Sequence, residues 1–164
     1  MHRENIDLPE LENPRLVVKK SARLLQLFDG EKLIKTYRIV LGFAPEGDKR
    51  TAGDGKTPEG DFYVFVKNER SKYYLSLGVS YPSIEDAKRG LAADLVSTEE
   101  HDRIVEAVGQ KRKPPQETKL GGEIYIHGGG TLKDWTKGCV ALEDEDMKEL
   151  FDLVPRGAFV RIEP

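Results

Sequence analysis

Short stretches of β-type residues punctuated by turns dominate the first half of the chain, and this pattern predicts strands. Arg15 to Lys19 and Arg23 to Phe28 read as two of them. Asp29-Gly30 then supplies a tight hairpin turn, because both residues tolerate positive φ. Lys32 to Leu41 returns as the partner, with Leu33, Tyr37, Ile39 and Leu41 among its apolar positions. Within Asp61 to Lys67, Phe62, Val64 and Val66 alternate with Tyr63 and Phe65. Both faces are apolar, so this strand is predicted to be central and covered on both sides. Tyr73 to Val79 reads as its neighbour. Between the two sets, Gly42 to Gly60 carries five glycines and two prolines without hydrophobic period, which predicts a long ordered loop or a set of turns, of the kind that is functional or mobile.

The second half mixes in helices. Ser83 to Ala93 is predicted helical with Ser83 as N-cap, and Ser97 followed by Glu100 has the spacing of a capping box. Ile104, Val105 and Val108 supply the apolar stripe of that second helix. Lys111-Arg112-Lys113 with Pro114-Pro115 reads as a solvated, proline-stopped loop. Glu123 to His127 is a short strand and Asp146 to Leu153 a helix with Met147, Leu150 and Phe151 inward. Ala158 to Ile162 closes the chain as a strand after the Pro155-Arg156-Gly157 turn. These elements predict a mostly β fold with two or three helices, a sandwich in preference to a doubly wound sheet. Strand order is not legible at this level.

Composition narrows the function classes. A length of 164 residues fits one compact domain, placed at residues 15–164 after a polar, acidic and flexible N-terminal segment, residues 1–14. A formal net charge of −3 and a pI of 5.7 leave no bulk basic signature, so no nucleic-acid partner is expected. No run approaches the roughly 20 apolar residues of a membrane helix. A monomer is expected. The single cysteine precludes an intrachain disulfide and leaves a lone thiol to be explained.

Two decoys can be set aside. Gly55-Lys56-Thr57 resembles the end of a phosphate-binding loop, but Arg50 stands where that pattern needs glycine and Pro58 removes a donor where a helix would begin. His2 and His101 have no second ligand at helical spacing, so neither a metal site nor another cofactor is expected.

Chemical information concentrates between Glu123 and Leu142. Ile124-Tyr125-Ile126 delivers His127 at a strand end, followed by Gly128-Gly129-Gly130, which permit close backbone approach. Twelve residues after the histidine comes Cys139, behind Gly138 and ahead of Val140. A turn there can aim backbone N–H groups into one concavity, as an oxyanion requires. An imidazole near a thiol of pKa about 8.5 would generate the attacking thiolate and depress the thiol's apparent pKa. On residue type alone the alternative stands level: a lone cysteine and a lone histidine are commonly packing groups.

Ile126-His127-Gly128, followed by Asp134-Trp135-Thr136-Lys137-Gly138-Cys139-Val140-Ala141-Leu142, resembles the active-site signature of the L,D-transpeptidase (YkuD-like) family. Lys20 to Arg23, Tyr37 to Gly42, Gly53 to Gly60 and Ser76 to Pro82 resemble that family's N-terminal half, so the likeness covers Arg15 to Phe151. The resemblance implies a β-sandwich catalytic domain acting on peptidoglycan stem peptides, with roles in cell-wall synthesis and cell shape. By analogy, Cys139 attacks the L-centre carbonyl of a diaminopimelate residue and expels terminal D-alanine. An amine of another stem, or of a wall-anchored protein, then resolves the thioester. His127 is the implied base, held by the Gly128 carbonyl. Backbone groups of Gly138, Cys139 and Lys137 form the implied oxyanion hole, and Thr136 supports the turn. Trp135 and Tyr81 either line the substrate cleft or pack.

The implied setting is periplasmic or wall-associated, with an export signal expected ahead of Met1, and the implied inhibitors are carbapenems. Four features depart from the family's usual pattern: Lys137 where many members have histidine, Ala141 where many have arginine or asparagine, a short His-to-Cys interval, and an apparent insertion from Asp94 to Thr118. The alternatives are an L,D-carboxypeptidase that uses water at the same site, and an inactive wall-binding relative.

Overall fold

The computed structural model describes residues 10–164; residues 1–9 of the segment expected to be flexible lie outside the described residues. Eight strands and three helices follow one another as β1 (Pro14–Lys19), β2 (Leu24–Asp29), β3 (Lys32–Arg38), β4 (Gly60–Ser71), β5 (Tyr74–Val79), α1 (Ile84–Ala92), α2 (Thr98–Gly109), β6 (Tyr125–His127), β7 (Val140–Ala141), α3 (Asp144–Leu153) and β8 (Phe159–Glu163). The strands form a sheet in the order β3-β2-β1-β8-β4-β5-β6-β7. Pairing is antiparallel except at β1–β8 and β6–β7. The sheet curls about β4, whose Gly60 to Tyr63 pair with β8 while Val64 to Ser71 pair with β5. This curled, mostly β architecture with three helices fits the expected fold class.

Local chemistry explains most elements. The β2–β3 loop is Gly30-Glu31, one residue later than the expected Asp29-Gly30: Asp29 still pairs with Lys32 at the end of β2, and only Gly30 takes positive φ, at +60°. Phe62, Tyr63, Val64 and Phe65 are all buried, so β4 is covered on both faces. Ser97 and Glu100 close their capping box, and Ser83 closes a second one with Asp86 in the third position, where aspartate replaces the usual glutamate. Ala158 N–H bonds to the Pro155 carbonyl at 3.2 Å, closing the turn into β8.

One core gathers Leu16, Leu25, Tyr37, Phe62, Leu77, Ile126, Val140, Leu142, Met147 and Leu150, drawing on both sheet halves and α3. A smaller one holds α1 and α2 together through Ala87, Val96, Ile104 and Leu120. The expected insertion, Asp94 to Thr118, supplies α2 and is therefore ordered structure with its own apolar anchor.

The boundaries differ from the sequence reading where tertiary contacts override it. The strand expected through Leu41 leaves the hairpin after Arg38, and Val40 instead bridges to Ala141. The helix expected from Asp146 begins at Asp144. β7 has two residues, too few for any periodicity to register.

Leu77 is fully buried in central strand β5. Leu77→Ala is expected to lower unfolding free energy by about 2–5 kcal/mol, read from urea denaturation. A loss below about 1 kcal/mol would contradict its place in the core.

Candidate active site

His127 ends β6 and Cys139 stands just before β7; these are the two side chains expected to react. The parallel register of β6 and β7 pairs Ile126 with Val140 and His127 with Ala141. Ile126 and Val140 are wholly buried in the core. Side chains alternate along strands, so Tyr125, His127 and Ala141 lie on the opposite side from Ile126 and Val140. Cys139 stands just before β7, and its sulfur turns to backbone groups at the start of β6.

The loop bearing Cys139 is sewn to the segment after β3. Thr136 N–H bonds to Leu41 O at 3.1 Å, Phe43 N–H to Thr136 O at 3.2 Å, and Val40 and Ala141 exchange two bonds of 3.0 Å. The Asp134 carboxylate accepts Leu41 N–H at 2.9 Å and a two-pronged contact from the Arg23 guanidinium at 3.1 and 2.7 Å. Both side chains are about one-third exposed, so the pair contributes geometry more than energy. Thr136 Oγ1 donates to Cys139 O at 2.8 Å and accepts Gly138 N–H at 3.2 Å, which folds the turn as expected for this residue. Thr57 Oγ1 braces it from behind by donating to Gly138 O at 2.7 Å. Gly138 sits at φ +130°, where a Cβ would lie 2.7 Å from Lys56 O, so only glycine fits. The Lys56-Thr57 pair of the false phosphate motif thus buttresses the cysteine turn.

His127 Nδ1 lies 2.6 Å from Gly128 O. A carbonyl only accepts, so Nδ1 carries the proton and Nε2 of the neutral ring is left with a lone pair. Burial pushes the His127 pKa below its ordinary 6.5, partly offset by the Gly128 bond. Two aromatic rings pack on the imidazole: Tyr73 stacks at 4.7 Å and 24°, and Trp135 meets it edge-on at 5.4 Å. Trp135 is fixed by an Nε1–H bond to Gly130 O at 3.0 Å.

The Cys139 sulfur accepts Tyr125 N–H at 3.4 Å, and its S–H donates to Glu123 O at 3.3 Å. Among the described residues no hydrogen bond joins it to His127. Burial pushes the thiol up to about 11; the Tyr125 N–H and Lys49 oppose this shift, and the Glu123 charge adds to it. The depressed value expected for an imidazole-paired thiol is thus reversed, because the resting sulfur faces backbone groups in a desolvated setting. At neutral pH both partners are uncharged.

The remaining expected residues divide. Gly128 serves as the histidine's acceptor. Gly138 N–H is already engaged by Thr136, so of the expected oxyanion donors the N–H groups of Cys139 and Lys137 are those with no partner among the described residues. Trp135 walls a cleft of about 650 Å³ with Tyr73, Gly129, Gly130, Thr131 and Glu143, and Leu132 stands 94% exposed at its lip. Tyr81 does not line a cleft: it is fully buried, its hydroxyl donating to Leu120 O at 2.7 Å, and it packs. Tyr73 was missed, since an aromatic at a hairpin tip carries no signal that it covers a histidine 54 positions away. His101 is bonded to neighbouring Asp102 at 2.9 Å, and His2 lies outside the described residues. Among the described residues no three His, Cys, Asp or Glu side chains converge as metal ligands, and no helix is long and apolar enough to cross a membrane.

The sequence profile of the YkuD L,D-transpeptidase catalytic domain matches residues 13–162. The chain belongs to the YkuD family. A curated Bacillus licheniformis protein bearing the YkuD name is 23% identical over 98% of this chain and 75% of its own length. Among solved structures, the fold resembles Pgp2 of Campylobacter jejuni, a helical cell shape determining protein, with a TM-score of 0.64 and 23% identity over 99% of this chain and 52% of Pgp2. An L,D-transpeptidase from Mycobacterium smegmatis has the same fold at a TM-score of 0.55 and 10% identity, over 93% of this chain and 59% of the other. This YkuD-family chain spans about half the length of the Pgp2 structures it matches.

Long-range ¹H–¹⁵N imidazole spectra between about pH 4 and 8 are expected to give the Nδ1–H tautomer of His127 with a midpoint below 6.5. The unfolded chain takes up that proton first, so this group's contribution to stability is present above 6.5 and is lost as pH falls toward the folded pKa. An Nε2–H tautomer, or a midpoint above 6.5, would contradict the geometry.

Proposed function

We propose that residues 15–164 are the catalytic domain of a peptidoglycan L,D-transpeptidase that works through a thioester on Cys139. One observation carries the reading. A histidine whose Nδ1 is committed to Gly128 O keeps a basic Nε2 at the end of β6, and the chain's only thiol stands just before the paired strand β7.

In the first half-reaction the thiol proton leaves the Glu123 carbonyl for Nε2 of His127 as sulfur attacks the donor carbonyl. The N–H groups of Cys139 and Lys137 are the available donors for the resulting oxyanion. Collapse breaks the bond to the leaving D-alanine, whose nitrogen takes the proton from the imidazolium. The acceptor amine then attacks the thioester and yields a proton to Nε2, and the departing sulfur recovers it as thiol. Because His127 and Cys139 both rest uncharged, the thiolate forms only with substrate in place, which limits wasteful oxidation or hydrolysis.

The cleft walled by Trp135 and Tyr73, the two rings packed on His127, offers an extended peptide a path toward the imidazole. The setting that fits this substrate is the periplasm or the wall itself, with stem peptides and wall-anchored amines as partners, and carbapenems fit the site as acylating inhibitors.

Incubation with purified tetrapeptide muropeptides is expected to yield cross-linked dimers and free D-alanine by mass spectrometry. Cys139→Ala should abolish both, and His127→Ala should reduce turnover by about 10³-fold or more. Tripeptides with D-alanine but no dimers would instead identify a carboxypeptidase. No product with any acceptor would leave only a wall-binding role.

A further inference from the structure

Glu123 is a non-glycine residue at φ +58°, a conformation that side chains resist, and it lies two residues before the first residue of β6. Its N–H is held by Gln116 Oε1 at 2.7 Å. The same carboxamide donates through Nε2 to Tyr81 O at 2.8 Å and Pro114 O at 2.9 Å, so both ends of the amide group are engaged. It is also seated in place: a Cβ on Gly122 would lie 2.6 Å from Gln116 Oε1, so the glycine makes room for the amide. Beyond this clamp, the Glu123 carbonyl accepts the Cys139 S–H and Tyr125 N–H donates to its sulfur.

Resting on the reading of Cys139 as nucleophile, we infer that Gln116 is a positioning residue. Its carboxamide holds Glu123 left-handed so that the Glu123 carbonyl docks the thiol against the start of β6. This gives the stretch after α2 a role at the site, because it delivers Gln116 against the residues that lead into β6. Glu123 and Lys49 are the charged side chains acting on the sulfur, and Tyr125 and His127 are the titratable side chains of the strand beside it.

The test replaces Gln116 with methionine, close in volume and unable to make any of the three bonds. Losing the carbonyl acceptor withdraws support from the protonated thiol. The midpoint for iodoacetamide alkylation of Cys139 across pH is therefore expected to fall by about half a unit to one unit. Acyl-transfer kcat should fall about tenfold with little change in KM, since the thiol is misplaced while the cleft is intact. Adding Glu123→Gly should restore kcat, because glycine takes positive φ without a clamp. A purely structural glutamine would lower the melting temperature without moving the midpoint, and that result overturns the proposal. If Gln116→Met does not fold, Gln116→Asn, one methylene short of reach, is read by the same two outcomes. Alkylation needs no peptide substrate, so a shifted midpoint in a protein that transfers nothing would sink the transpeptidase reading and leave the clamp standing.

Discussion

The site depends on a two-residue parallel ladder. Ile126 and Val140 face the core and are completely buried, a pair worth about 3–6 kcal/mol of apolar burial. That burial fixes which way β6 and β7 face. A slip of one residue in either strand would turn a core side chain outward and put His127 or Cys139 into hydrocarbon. The placing of His127 and Cys139 on adjacent segments is thus a by-product of hydrophobic register. This explains how a short loop between two reactive residues is tolerated: β7 needs only to reach the next position in the sheet, not to cross the molecule.

Around that ladder, backbone hydrogen bonds do most of the positioning. Segments from opposite ends of the chain meet at the cysteine turn. Arg23 and Asp134 tie the first hairpin to it, Leu41 and Phe43 pair with Thr136, and Thr57 braces Gly138. Gly42 and Gly138 approach so closely that a Cβ on Gly42 would lie 2.7 Å from Gly138 N. Rigid backbone suits a reaction whose transition-state charge is met by N–H groups, because those donors need no reorganisation.

Much of this was legible beforehand, for identifiable reasons. Strands with apolar faces and capping serines are local signals, and they read correctly; the hairpin was legible from its glycine, with its turn set one residue later. Cys139, His127 and Gly128 stood out as candidates because a cysteine and a histidine flanked by glycines are uncommon and their arrangement resembles a known signature. Destinations of backbone groups were not, since residue type says nothing about whether Gly138 N–H is already spoken for. Tyr81 looked like a cleft residue because tyrosine suits either role, and only burial decides. Tyr73 reaches His127 across 54 positions and Gln116 reaches Glu123 across an irregular loop, and no periodicity marks either contact. The direction of the Cys139 pKa needed the solvent geometry around the sulfur, which a motif does not carry.

The most direct test is the intact mass of the protein after exposure to a carbapenem, followed by peptide mapping. The account predicts one stoichiometric adduct, located on Cys139 and absent from Cys139→Ala. An equal adduct on the alanine variant, or an unmodified wild type under conditions where the protein is folded, would contradict it.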